Sequence, residues 1–99
     1  MGDHAVAIID GVFLLRPELA GHWDYVVWLD IDMETMVARA RRRDVAWVGS
    51  EEVVEDRYRR HWIPTHELYE RLIEPKTYAH AVIDNRRPQE PTVLRLARP

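Results

Sequence analysis

The chain has 99 residues and a formal net charge of −3, enough for one small domain with a modest core or for part of a larger one, and too acidic for whole-chain electrostatic binding to nucleic acid. With 46% hydrophobic and 31% charged residues, it has the composition of a folded globular protein and not of a disordered one. It contains no cysteine, which excludes disulfides, thiolate zinc sites and thiol chemistry and fits a reducing compartment.

No apolar run approaches membrane-spanning length, and MGDHAVAIID lacks the form of a signal peptide. A cytoplasmic location without a membrane partner is therefore expected. Residues 5–9 (AVAII) form a continuous apolar run, which predicts a strand covered on both faces, as in a parallel sheet. Asp10 follows it, at the C-terminal strand end where open α/β sheets bind ligands; Asp10-Gly11 reads equally well as a plain strand-ending turn. Residues 12–15 (VFLL) are a short apolar segment expected to pack on the sheet. Residues 16–19 (RPEL) predict a short helix with Pro17 near its start, ended by Gly21.

Residues 25–29 (YVVWL) predict a second buried strand, closed by Asp30 and Asp32. The period then changes. Met33, Met36, Val37 and Ala40 fall at i, i+3, i+4 and i+7, one face of a helix. Asp32 stands at the N-cap position, and Glu34 places negative charge in the first turn. Arg39 and Arg43 lie one turn apart near the other end. Together with Arg41 and Arg42 they read either as a solvated helix end that complements the macrodipole or as a guanidinium cluster turned towards an anion.

Residues 45–49 are expected to be a connector, after which Ser50 caps a further helix with Glu51 and Glu52 in its first turn. Val54, Tyr58 and Trp62 carry its stripe. Pro64 is expected to kink or break it. Residues 65–73 are helical again until Pro75, residues 80–83 (HAVI) predict a last strand, and residues 93–96 (VLRL) read as one more strand or as loose chain. Strands alternating with helices predict an α/β fold with a parallel sheet.

In this order the pieces resemble the C-terminal half of the uridine kinase family of P-loop phosphotransferases. They are AIIDGVFLL, ELAGHWDYVVWLDI, the R-x-x-x-R-D of Arg39, Arg43 and Asp44, the RY of Arg57 and Tyr58, LYERLIEP and AVIDN, and they cover about nine-tenths of the chain. The resemblance implies a partial parallel three-layer sheet without the N-terminal strands and phosphate loop, residues 1–99 being the C-terminal half of a kinase domain with its lid at about residues 43–60. It implies that Asp10 holds Mg²⁺ through water, an arrangement suited to that ion's firm hydration. It also implies that Arg39 and Arg43, with Arg57 as a weaker match, face the phosphates of ATP. Phosphoryl transfer depends largely on positioning and charge neutralisation, so paired guanidiniums have a clear role there. The acceptor would be a nucleoside or a similar small hydroxyl compound.

The sequence departs from that family at one decisive place. The glycine-rich G-x-x-x-x-G-K-[ST] loop that cradles the triphosphate is missing; Gly2, Gly11, Gly21 and Gly49 form no such motif, and Lys76, the one lysine, follows no glycine. The expectation is a fragment inactive by itself, with Mg²⁺ and ATP bound only in a restored domain. The alternative is a non-catalytic module that docks or self-associates through a sheet edge left bare. A polyanion binder using residues 39–43 is the poorest reading, since no aromatic–basic interleaving accompanies the cluster.

Overall fold

A computed structural model describes residues 5–97. Two short parallel strands, β1 (Val27–Asp30) and β2 (Ala81–Asp84), are joined by a helical crossover, and a third strand, β3 (Thr92–Leu96), runs antiparallel beside β2. The sheet order is β1-β2-β3, so the fold is α/β with a small mixed sheet instead of the fully parallel one expected. Residues 93–96, left open by sequence reading, are thus strand. β1 and β2 are in register from Val27 with Ala81 to Asp30 with Asp84.

The predicted strand at residues 5–9 does not form. Residues 5–12 have no regular structure, make no main-chain hydrogen bond among the described residues, and leave Val6 83% and Ile8 90% exposed. An apolar run becomes a strand only where a partner edge receives its main-chain groups, and none does so here. Of residues 12–15, Val12 stays more than half exposed, while Phe13 and Leu15 meet the helical segment. Phe13 lies 5.0 Å edge-on from Tyr69 and 5.6 Å from Trp62, and the Leu15 N–H donates to the Tyr69 hydroxyl at 3.1 Å. Phe13 holds φ at 58° to reach this pocket, a conformation costly for a bulky side chain. Helix α1 (Pro17–Ala20) follows, started by its proline as predicted.

Helix α2 (Met33–Val48) is capped by Asp32, whose carboxylate accepts from the Thr35 N–H at 2.6 Å. Val37 and Ala40 are buried on the face the spacing predicts, and Asp44 continues that row. The expected connector at residues 45–49 is mostly helix. The helix ends at Gly49, where φ of +95° suits a residue without a Cβ. Ser50 caps α3 (Glu51–Arg57), which packs back along α2 and buries Val54 against it.

Pro64 does not break the chain of helices. One π turn, Tyr58–Trp62, links α3 directly to α4 (Ile63–Ile73), with the Ile63 N–H bonded to the carbonyl of Tyr58. Proline has no N–H and its ring crowds the preceding turn; a widened turn accommodates both effects. The short helix α5 (Pro75–Tyr78) then leads into β2.

Helices cover one face of the sheet, where Trp28 stacks on His66 of α4 at 6.0 Å and Val82 is buried. The opposite face is open on its outer strands, although Ala81 at its middle is buried. Leu29, Ile83 and Val93 form a row across the three strands, yet Leu29 and Val93 stay more than half exposed, and Val27 is 48% exposed. The burial expected for residues 25–29 is therefore not reached: Tyr25, Val26 and Trp28 are half-buried, and Val27 and Leu29 are exposed. The Cα radius of gyration is 15.6 Å, against about 13 Å for a compact domain of this length.

Candidate functional site

The parallel strands end side by side in carboxylates, Asp30 on β1 and Asp84 on β2, the position where open α/β sheets present residues to ligands. Both are already partnered. Asp30 accepts from Lys76 Nζ at 2.9 Å and from the Trp28 indole N–H at 3.3 Å. Asp84 is gripped by Arg86, with Nη2 at 2.7 Å and Nε at 3.0 Å, and also accepts the Arg86 main-chain N–H at 3.1 Å. That guanidinium holds the Asp84 carboxyl at about 2, below the usual range. Asp32 beside them is lowered too, chiefly by the Thr35 N–H.

Arg39 reaches this end of the sheet from α2. Its Nη2 donates to the carbonyls of Asn85 at 2.5 Å and Arg86 at 2.9 Å, tying the loop after β2 to the helix. Next to this clamp lies an open depression lined by Asp84, Arg86, Arg87, Glu90 and Thr92.

Arg43, one turn further on, serves a different neighbourhood. Its Nε and Nη2 donate to the two carboxylate oxygens of Asp44, at 2.8 and 3.3 Å, and Nη2 also donates to the Tyr58 hydroxyl at 2.7 Å. Asp44 is only 9% exposed, and a buried carboxylate needs such a cation. The contact holds its carboxyl below the ordinary value and raises that of Arg43. Among the described residues Nη1 makes no hydrogen bond.

Arg41 belongs to the α2–α3 seam. It pairs with Glu55, which also accepts from Arg59 at 2.7 Å, and Arg59 in turn reaches Glu34 at 3.3 Å. Among the described residues Arg42 and Arg57 make no ion pair.

The structure thus does not gather the sequence-predicted residues in one place. Arg39 sits at the strand ends. Arg43 sits at the α2–α3 arm, with Arg57 next to its partner Tyr58. Asp10 lies in the exposed segment before Gly11. A magnesium ion held through water would find in Asp10 one carboxylate, the rest of its shell coming from phosphates and water; no cluster of three metal-ligating side chains occurs among the described residues. Sequence reading gave no role to the Asp44 side chain or to the Tyr58 hydroxyl. A signal for Asp44 was available: it falls at i+4 from Ala40 and i+7 from Val37, which puts an acid on a buried face where it requires a basic neighbour.

No family model, no curated protein and no solved structure matches the chain.

Proposed function

We propose that this chain is the arginine-helix and lid part of a uridine kinase-like, ATP-dependent phosphotransferase. The observation that supports this most is the Arg43–Asp44–Tyr58 cluster. Arg43 and Asp44 belong to one piece of the resemblance and Tyr58 to another, 15 residues away, and they meet in a single hydrogen-bonded group. In this reading residues 43–60 form the lid. Asp44 and Tyr58 hold one edge of the Arg43 guanidinium, and the free Nη1 faces the transferring phosphoryl group of ATP. Fixing a donor before charge develops is how such sites act. Arg39 braces the loop after β2, and Asp10 supports Mg²⁺, which supplies charge neutralisation at the phosphates. The acceptor is a nucleoside or a similar small alcohol.

The cradle for the triphosphate is not encoded in these 99 residues, so a second polypeptide segment must provide it. The chain alone, incubated with ATP, Mg²⁺ and uridine or cytidine, is expected to form no nucleoside monophosphate. Fusion to a half-domain bearing a phosphate loop and a nucleoside pocket is expected to restore transfer. Turnover by the chain alone in the range of about 1–100 s⁻¹ usual for kinases would refute the need for a partner segment. A soluble, folded fusion that binds ATP yet transfers nothing would refute the kinase reading.

A second reading is a docking module without chemistry. The bare sheet face of Val27, Leu29 and Val93 favours it, and the same fusion experiment separates the two.

A further inference from the structure

The chain carries two unmet needs. The first is the segment of residues 5–12. Its main-chain groups make no hydrogen bond among the described residues, and Val6, Ile8, Ile9 and Val12 are all more than half exposed. It is anchored at its far end, where Phe13 packs on Tyr69 and Leu15 is buried, so it forms an arm. The second is the outer edge of β1. The carbonyls of Val26 and Asp30 accept from the β2 side, at Ala81 and Asn85. By strand alternation the main-chain groups of Val27 and Leu29 therefore face the open edge. The same two residues show apolar side chains on the bare face, continuing through Ile83 to Val93.

Each feature is what the other lacks. The arm is strand-forming in composition, rich in β-branched and apolar residues without proline or charge over residues 5–9. The edge is unpaired and lacks the lysines and prolines that usually blunt one. In a single copy the two stay apart, at the cost of large exposed apolar area. We propose that two copies of this chain exchange arms, residues 5–9 of each adding as a strand to the β1 edge of the other, with Ile8 set beside Leu29. The exchange is reciprocal and two-fold, so it closes on itself and leaves no β1 edge to recruit a third copy. A stable interface buries about 800 Å² per partner, and the exposed apolar side chains of Val6, Ile8, Ile9 and Val12 on the arm, with Val27 and Leu29 on the edge strand, are available to supply it. This inference does not rest on the kinase reading.

The experiment is sedimentation equilibrium of the full chain at micromolar concentration, with hydrogen exchange of the arm amides. The expected result is a dimer with protected amides at residues 6–9. Ile8→Asp is expected to weaken dimerisation at least 100-fold with unchanged circular dichroism, while Leu72→Asp, on the exposed side of α4, leaves it intact. The arm makes no hydrogen bond among the described residues of its own copy and Ile8 is 90% exposed, so the Ile8 variant does not put folding at risk. Because the chain has no cysteine, Ile8→Cys and Leu29→Cys chains can also be mixed under mild oxidant. Neighbouring strands about 4.8 Å apart fall within disulfide reach, so a mixed cross-linked dimer is expected. A monomer overturns the proposal, including one in which the arm folds onto its own sheet. So does a dimer that survives Ile8→Asp, or an open series of larger oligomers.

Discussion

The main-chain N–H of Val26 donates to Nδ1 of His80 at 3.0 Å, and the main-chain N–H of His80 donates back to the Val26 carbonyl at 2.8 Å. This reciprocal pair sits where β1 and β2 begin to run together. The imidazole is held flat against Tyr25, 4.8 Å away. His80→Ala leaves the partly buried Val26 N–H without its acceptor, so a loss on the order of 1–3 kcal/mol is expected by urea denaturation. His80→Asn keeps an acceptor near the position of Nδ1 and should recover part of that loss. Equal losses in the two variants would assign the effect to stacking on Tyr25.

The α2–α3 seam depends on Val54, which is 2% exposed. Val54→Ala should cost about 2 kcal/mol through lost contacts and a residual cavity, lowering Tm by roughly 8–16 °C for a domain of this size. Val53 is its neighbour in sequence but looks outward, and Val53→Ala should stay within about 0.5 kcal/mol of the parent. Thermal melts followed by circular dichroism compare the pair directly.

Acid should weaken the fold through Asp84. Its carboxyl is held at about 2 by Arg86, below the value of about 3.9 for an unfolded aspartate. A carboxylate depressed on folding stabilises wherever it is ionised, so its contribution is complete above about pH 4 and is lost as pH falls towards 2. Asp44, lowered by Arg43, acts in the same direction. The Tm of Asp84→Asn should therefore fall less steeply than that of the parent between pH 4 and pH 2. Parallel curves over that range would rule out the Arg86 contact as a source of acid sensitivity.

In the fusion proposed above, the kinase reading expects Arg43→Lys to lower kcat by a loss on the order of 2–4 kcal/mol, the size seen for other preorganised charge donors. Lysine cannot grip Asp44 with two parallel bonds while keeping a further donor free. Arg42→Lys should change little, because Arg42 makes no ion pair among the described residues. Equal, small effects in steady-state assays would mark the whole cluster as a solvated helix end.

Much of the helical hairpin could be read from the chain before its structure. Asp32 as cap, the buried row through Val37 and Ala40, and Ser50 as the next cap all follow from local rules with a period of 3.6. Residues 5–9 show where such rules stop. Their composition is that of a strand, but strand formation needs a partner edge, and no pattern within five residues says whether one is within reach. The arginines show the same limit at a smaller scale. Their spacing places Arg39 and Arg43 on neighbouring lines of α2, yet one meets carbonyls beyond β2 and the other a tyrosine at the start of the π turn. Those partners are set by how distant segments pack. At Pro64 the break that the sequence allowed does not occur for a third reason, since a wider turn can hold a proline that a regular one would reject.

That wider turn also sets the angular phase of everything after it. Across it Tyr58 meets Trp62 edge-on with ring centroids 6.3 Å apart, and Trp62 stacks on His66 at 6.1 Å. Removing a single residue from Tyr58–Trp62 would change little in composition. It would rotate α4 by about 100° against α3, turning Tyr69 away from Phe13 and His66 away from Trp28. The clasp on Leu15 and the helical cover over β1 would then come undone together, so the length of this turn governs the docking of two distant parts of the chain at once.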